Sequence, residues 1–284
     1  MLVNLSEILE LAEKKGYAVI APDFISIAML RHYLFVAEKY QTPIIASYPP
    51  LPMDRFRNFN RWVKKLRSLC HEARVPVCLH LDHGKDVPTC QKAINSGFTS
   101  VMIDASTYDL EENIRMTRQV VEAAGKVGVS VEAEIGHVGA NRDSAEGKAA
   151  ASTLTDPAQA GYFAEQTGVD ALAVSIGTLH GTYRGEPHID FQRLSDIRSR
   201  VTIPLVLHGG SGTGEENIRR SVQGGIRKIN VFTDIIKPYL KASLTGIGPF
   251  RLPSSPGTPR SVVDRILKHY FVISGSLEAN ADRG

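Results

Sequence analysis

At 284 residues, 43% hydrophobic and 22% charged, the chain is long enough to bury one large core, and a single domain is expected. Its net charge of +3 comes from interspersed Lys, Arg, Asp and Glu, with no basic block, which argues against a nucleic-acid partner. Cys70, Cys78 and Cys90 are odd in number and lack CxxC spacing, arguing against a disulfide framework or a Cys-ligated zinc and for a reducing cytoplasm.

The first segment, MLVNLSEILELAEKKGY, carries acids throughout and reads as an amphipathic helix without a basic or apolar leader region. No apolar run is long enough to span a bilayer, so neither export nor membrane embedding is expected. Apolar, β-branched runs then recur, each short enough for a buried parallel strand and each followed by a segment of helical length. Strands are predicted at YAVIAPDF (17–24), TPIIASY (42–48), VPVCLHL (75–81), SVMIDA (100–105), SVEAEI (130–135), ALAVSI (171–176), PLVLHG (204–209) and KINVF (228–232). Helices are predicted at 27–40, 55–72, 86–95, 110–127, 156–167, 191–200 and 215–224, several of them ending at glycine, as C-caps often do. Past the eighth strand, 246–260 (GIGPFRLPSSPGTPR) reads as a Gly/Pro/Ser-rich loop, 261–270 as a helix and 278–284 as a disordered tail.

Eight βα units in this length fit an α/β chain folded as a single-domain (β/α)8 TIM barrel over 1–284, although a doubly wound open sheet would alternate similarly. The strand ends favour the barrel. Asp23, Ser47, Asp82 with His83, Asp104, Glu134, His180, His208 with Ser211, and Asn230 with Thr233 follow the eight strands in turn. A barrel gathers those ends at its C-terminal mouth, where barrel active sites lie; an open sheet would scatter them along an edge.

Three exits carry histidine beside glycine: LDHG, TLHG and VLHGG. Neutral imidazoles at a water-accessible mouth suit zinc and leave a position for substrate, so His83, His180 and His208 are candidate ligands; any one alone reads equally well as structural. Asp82 would border the ion with its carboxylate left for proton transfer, or serve only as a strand-end cap. His80 shares strand parity with Asp82 and is expected inside the barrel, packing or bracing that carboxylate, whereas His32, His71, His188 and His269 read as solvated. Glu132 and Glu134 share the inner face of one strand, where two acids are costly without a cation; Glu134, nearer the mouth, is the candidate fourth or alternate metal ligand. Asp104 reads as an acid that holds a second cation or orients a neighbour, or equally as the cap of the next helix. HGGSGTGEENI and INVFTDI, after the seventh and eighth strands, can present backbone N–H groups and hydroxyls at helix starts, the usual phosphate position of such barrels, though tight turns need glycine too. Lys228 opens the eighth strand, away from the mouth, and is not expected to be a Schiff-base nucleophile.

In order and spacing, VPVCLHLDHG, GFTSVMIDAS, VSVEAEIG, TGVDALAVSIGTLHGTY, IPLVLHGGSG and KINVFTD resemble the class II zinc-dependent aldolases that act on fructose or tagatose bisphosphate, over roughly residues 1–245. The resemblance implies a lyase of carbohydrate metabolism with Zn2+ on His83, His180 and His208, Asp82 as proton donor, Glu134 as an alternate metal-site acid and Asp104 as a second-cation acid. It also implies dihydroxyacetone phosphate bound by Gly181, Gly209, Gly210, Ser211, Asn230, Val231, Phe232 and Thr233, with a monovalent cation, Na+ or K+, near Gly181, Gly209 and Ser211. Zinc would polarise the ketone while a base removes the hydroxymethyl proton, and Asp82 would protonate the aldehyde oxygen during condensation. By analogy the protein would be a cytoplasmic homo-oligomer, a dimer or tetramer.

Three departures bear on substrate handling. The family usually follows VEAEIG with two glycines and then a Glu-Asp pair; here HVGANRDSAEG puts Ala140 at a glycine and Arg142 at the glutamate implicated in proton removal, with Asp143 or Glu146 as carboxylates that could replace it. The first strand ends IAPDFISI instead of in a Phe-Asn pair, so Asp23 takes a substrate-facing position where it would repel phosphate. The second strand exits as ASYPPLP without a Ser-x-Gly pattern, and Arg260 in TPR is a loose match to the family arginine that reaches a neighbouring subunit's phosphate.

The expected function is reversible aldol cleavage of a ketose 1,6-bisphosphate or ketose 1-phosphate to dihydroxyacetone phosphate and an aldehyde, glyceraldehyde 3-phosphate or another sugar aldehyde, with altered aldehyde specificity. One alternative is a metal-binding barrel without turnover that serves as a sugar-phosphate sensor or assembly subunit. A metal-dependent hydrolase or isomerase on the same fold is the third reading.

Overall fold

The computed structural model describes residues 1–49, 58–141, 151–245 and 257–281. A two-residue strand, β1 (Leu2–Val3), lies parallel to the start of β4. Eight longer strands close the barrel in the order β2 (Val19–Pro22), β3 (Ile44–Tyr48), β4 (Val77–Gly84), β5 (Ser100–Ile103), β6 (Ser130–Ile135), β8 (Ala171–Val174), β10 (Leu205–Leu207) and β11 (Ile226–Val231), which pairs back onto β2. Every pairing in the ring is parallel. The open-sheet alternative is thereby excluded. Two short strands above the mouth, β7 (Gly139–Ala140) and β9 (Leu179–His180), pair with each other.

The helices start where polar caps dictate. In α1 (Leu5–Lys15) Asn4 and Glu7 form a capping box and Gly16 closes the helix at φ 71°. Ser26, Asn58, Asp86, Asp109, Asp156 and Asp190 cap α2 (Ile27–Lys39), α3 (Phe59–Glu72), α4 (Val87–Ser96), α5 (Leu110–Gly125), α6 (Pro157–Thr167) and α7 (Phe191–Arg198), each accepting the backbone N–H three residues on. Following Gly214, α8 (Glu215–Gln223) begins without a side-chain cap. The outward faces of the strands pack against these helices in one large apolar cluster. A second cluster fills the bottom of the barrel, where Leu5, Ile8, Leu9 and Ala12 of α1 meet Ile45, Cys78, Met102 and Val206. The interior above that plug is polar.

Several boundaries move. β11 begins at Ile226, two residues before KINVF, and α3 is described from Phe59 onward, residues 55–57 lying outside the described segments. The helix start expected at INVFTDI is α9 (Thr233–Thr245), to which the sequence assigns no end; Pro238 in its interior weakens the helical signal there. Residues 246–256 of the predicted loop lie outside the described residues, but its end is helical: Thr258 caps α10 (Pro259–Ile273), with Pro259 at a first-turn position that needs no N–H. The predicted tail also starts too early. Ser276–Ala279 form α11, and Asn280, 1% exposed, donates to Ser276 O; only 282–284 lie outside the described residues. His32 is half-buried against Tyr239 and not solvated, while His71, His188 and His269 are exposed. The three cysteines are buried and free, and no helix among the described residues is long and apolar enough to cross a membrane.

Candidate active site

Between β4 and β5 the register steps from Leu81↔Val101 to Gly84↔Ile103, so Asp82 and His83 together oppose Met102. This is a bulge, and His83 sits in it at φ 43°, in the left-handed region. Regular alternation would turn adjacent side chains to opposite faces. The bulge breaks the alternation, and both Asp82 and His83 line the pocket at the C-terminal mouth. Gly84 makes the close approach feasible, since a Cβ there would lie 2.6 Å from both Cys90 Sγ and Met102 O.

Three imidazoles meet at that mouth. Ring centroids lie 4.9 Å apart for His83 and His180, 4.6 Å for His83 and His208, and 5.6 Å for His180 and His208. Each offers a ring nitrogen within 4.8 Å of the others, and His83, Asp104 and Glu134 form a second such group. Two tautomers follow from the hydrogen bonds. Asp104 Oδ2 lies 2.8 Å from His83 Nδ1 and accepts its proton, leaving Nε2 as the ring's lone pair. Glu132 Oε1 lies 2.8 Å from His208 Nε2, so the lone pair of that ring is on Nδ1, a buried atom without a hydrogen-bond partner. An unsatisfied buried lone pair converging with two more imidazoles fits a divalent cation.

The acids around the rings differ. Burial alone would raise the Asp104 carboxyl, but the hydrogen bond from His83 and two from Ser106 outweigh it and hold Asp104 well below the ordinary carboxylate range. Glu134 goes the other way: burial, then the neighbouring Asp104 charge, push it well above that range. Its Oε1 accepts from Val138 N at 2.9 Å, while Oε2 is buried without a partner. A cation would relieve both penalties. Burial first, with the nearby Lys228 charge, keeps His80 and His208 neutral, the form in which imidazole ligates metal.

Asp82, 3% exposed, accepts from Asn230 Nδ2 at 2.8 Å. His80 therefore does not brace it at close range; its Nε2 is 3.8 Å from Asp82 Oδ1 and 3.4 Å from Lys228 Nζ. The cation that Glu132 requires is Lys228, 2.6 Å away and fully buried below the pocket.

Gly181, Gly209, Ser211, Asn230, Phe232 and Thr233 line the same pocket, as does Asp23. Ser211 Oγ accepts from the backbone N–H of Phe232 and of Asp234, leaving its own proton to donate. Gly210 and Val231 lie behind the wall: Gly210 N donates to Asn230 O, and the Val231 side chain is in the outer core. His180 is held above the barrel by the pairing of β9 with β7, and Ala140 pairs with it directly. Arg142, Asp143 and Glu146 lie outside the described residues. Arg260 places its guanidinium 4.5 Å over the Phe35 ring of its own chain.

Two residues escaped the sequence reading. Ser106 Oγ donates to Asp104 Oδ1 at 2.7 Å and so must accept from His137 Nδ1 at 2.9 Å, tying the exit of β6 to the His83 partner. The signal for Ser106 was its place two residues after an aspartate, where a local side-chain bond is common. Nothing local singled out His137.

The family model of fructose-bisphosphate aldolase class-II matches residues 3–270. The chain is 41% identical over 237 residues to a probable fructose-bisphosphate aldolase of Bacillus subtilis, covering 82% of each. It is 37% identical over 265 residues to the 6-phospho-5-dehydro-2-deoxy-D-gluconate aldolase of Halalkalibacterium halodurans, covering 90% of this chain and 91% of that one. Its fold superposes on the crystal structure of the YdjI aldolase from Escherichia coli K12 with a TM-score of 0.83 at 32% identity, covering 97% and 98% of the two chains. Sequence motifs, barrel topology and relatives agree, and the chain belongs to the class-II fructose-bisphosphate aldolase family.

Proposed function

We propose that this barrel, as one domain, is a zinc-dependent aldolase that reversibly cleaves a ketose 1,6-bisphosphate or ketose 1-phosphate to dihydroxyacetone phosphate and an aldehyde. The observation that carries the reading is the convergence of His83, His180 and His208 beside a buried Asp82, in a pocket walled by Gly209, Ser211 and Thr233. Zinc on the three imidazoles supplies Lewis-acid polarisation of a substrate carbonyl. Asp82, oriented by Asn230, holds the mobile proton: it takes the hydroxyl proton in cleavage and returns it to the aldehyde oxygen in condensation. Ser211, with both its lone pairs engaged, donates its proton to the phosphate. Glu134 and Asp104 offer an alternate cation position that shares His83. By family analogy the protein works in the cytoplasm as a homo-oligomer.

Arg142, where the family carries a glutamate, supplies a permanent cation suited to an acceptor bearing a carboxylate or phosphate. The Halalkalibacterium relative is named for a phosphorylated gluconate, so acid sugar phosphates belong in the assay. The test is retro-aldol cleavage of a panel of ketose 1-phosphates, ketose 1,6-bisphosphates and phosphorylated keto-acids, scoring dihydroxyacetone phosphate with and without chelator. Chelator-sensitive release from at least one substrate is expected. Release from none by zinc-loaded protein would turn the reading to the sugar-phosphate sensor or assembly subunit that Arg142 and Asp23 motivate, and chelator-resistant release trapped by borohydride would mean a lysine Schiff base.

A further inference from the structure

Below the pocket, the barrel interior holds an ion pair and an imidazole that the proposed chemistry does not use. Lys228, Glu132 and His80 are all fully buried, and none lines the pocket. Barrel interiors are ordinarily filled by branched aliphatic side chains, and a buried ion pair at best breaks even against an apolar pair of similar volume. The partition of hydrogen bonds supplies another reason for the pair. Glu132 meets Lys228 Nζ with Oε2 at 2.6 Å and His208 Nε2 with Oε1 at 2.8 Å. Lys228 can only donate, and its second contact, His80 Nε2 at 3.4 Å, therefore accepts, which puts the His80 proton on Nδ1 toward Ser100 Oγ at 2.9 Å. Each proton in the string then has one place. His208 must carry its proton on Nε2 and turn the Nδ1 lone pair to the mouth.

We propose that Lys228 and Glu132 are positioning residues that set His208 as an Nδ1 ligand before any metal arrives. The inference rests on the metal-centre reading above and concerns how one ligand is held ready. Its logic depends on both carboxylate oxygens being acceptors. An amide has one. In Glu132→Gln, an oxygen turned to Lys228 aims the NH2 at His208, which must then accept on Nε2 and carry its proton on Nδ1, blocking the ligand. Turned the other way, the NH2 faces the ammonium inside the barrel. Lys228→Met in the same chain removes that conflict, and the Gln oxygen can return to His208.

The experiment measures zinc affinity of the full-length chain by competition with a chromogenic chelator, with circular dichroism melts to verify folding. Glu132→Gln should bind zinc about 10–100-fold more weakly, the usual effect of losing a partner that orients a metal ligand. The double variant Glu132→Gln with Lys228→Met should regain affinity toward the wild-type value. A merely structural role makes the opposite forecast, since deleting a second buried group would worsen the site. In parallel, 15N spectra of histidine-labelled wild-type protein, zinc-loaded and after chelation, should show His208 protonated on Nε2 in both states; this arm stands even if the glutamine variant does not fold. Protonation on Nδ1 in the chelated protein, undiminished affinity in Glu132→Gln, or a double variant no better than the single would overturn the proposal. Wild-type protein that binds no divalent cation would instead sink the metal-centre reading on which it rests.

Discussion

Gly84→Ala perturbs the bulge that turns Asp82 and His83 into one pocket. The added Cβ would meet Cys90 Sγ and Met102 O at 2.6 Å and Leu81 Cδ2 at 3.2 Å. A thiol can rotate away; Met102 O belongs to the backbone of β5 and cannot, so β4 and β5 must part by several tenths of an ångström. Gly84 O also accepts from Asp104 N at 2.9 Å, so the partner of His83 shifts with it. Overpacking of this kind costs about 1–3 kcal/mol. With an unfolding entropy of roughly 2.1 cal/mol/K per residue, a chain of 284 residues changes stability by about 0.6 kcal/mol per degree, so the melting temperature should fall by about 2–5 °C. Scanning calorimetry gives the first number and chelator competition the second, a weaker zinc affinity. A melt within a degree of wild type, or a lowered melt with unchanged zinc affinity, would refute the link between the missing Cβ and the placement of His83.

Asp82→Ala should keep its zinc and lose cleavage by about 10²–10⁴-fold, the usual span for a proton-transfer group; loss of the zinc would make Asp82 a ligand instead. Zinc at about 100 times its dissociation constant should stabilise the protein by about 2.7 kcal/mol, or roughly 4–5 °C on the same slope, and an unmoved melt would mean the three imidazoles do not hold the ion in the native state. Burial pushes the Cys70 and Cys78 thiols from an ordinary 9.0 up to about 12. Because the folded value is the higher one, their contribution to stability is whole below pH 9 and declines as the pH rises toward 12, since the unfolded chain loses these protons first. Urea midpoints between about pH 9 and pH 11 should therefore fall less steeply in Cys70→Ala with Cys78→Ala than in the parent, and parallel slopes would contradict the assignment.

Much of the architecture was readable because a parallel barrel buries both faces of its strands. Runs such as ALAV and LVL are apolar throughout for that reason, and polar residues can appear only where a strand leaves the core. The eight strands and the exits carrying His83, His180 and His208 were visible on that ground. The extent of α9 is not legible, because Pro238 interrupts its pattern, and neither is the start of α10, because Pro259 suits a first helical turn as well as a turn of coil. The tail reading failed at Asn280, whose burial depends on a bond to Ser276 that composition does not reveal.

The alternation, the barrel class and the residue types at the mouth follow from local apolar periodicity and from the cost of burying polar groups. Which atoms meet depends on closure of the ring. No periodicity announces that a bulge opposite Met102 turns both Asp82 and His83 inward, or that His137 reaches Asp104 through Ser106. Glu132 looked like an acid in need of a cation; that the cation is Lys228, 96 residues away, emerges only when β6 and β11 face each other across the closed ring. The reason is physical: strand pattern is set by each residue's transfer from water, whereas tautomers, ion pairs and ligand directions are set by distances between side chains that only the closed barrel brings within hydrogen-bond range.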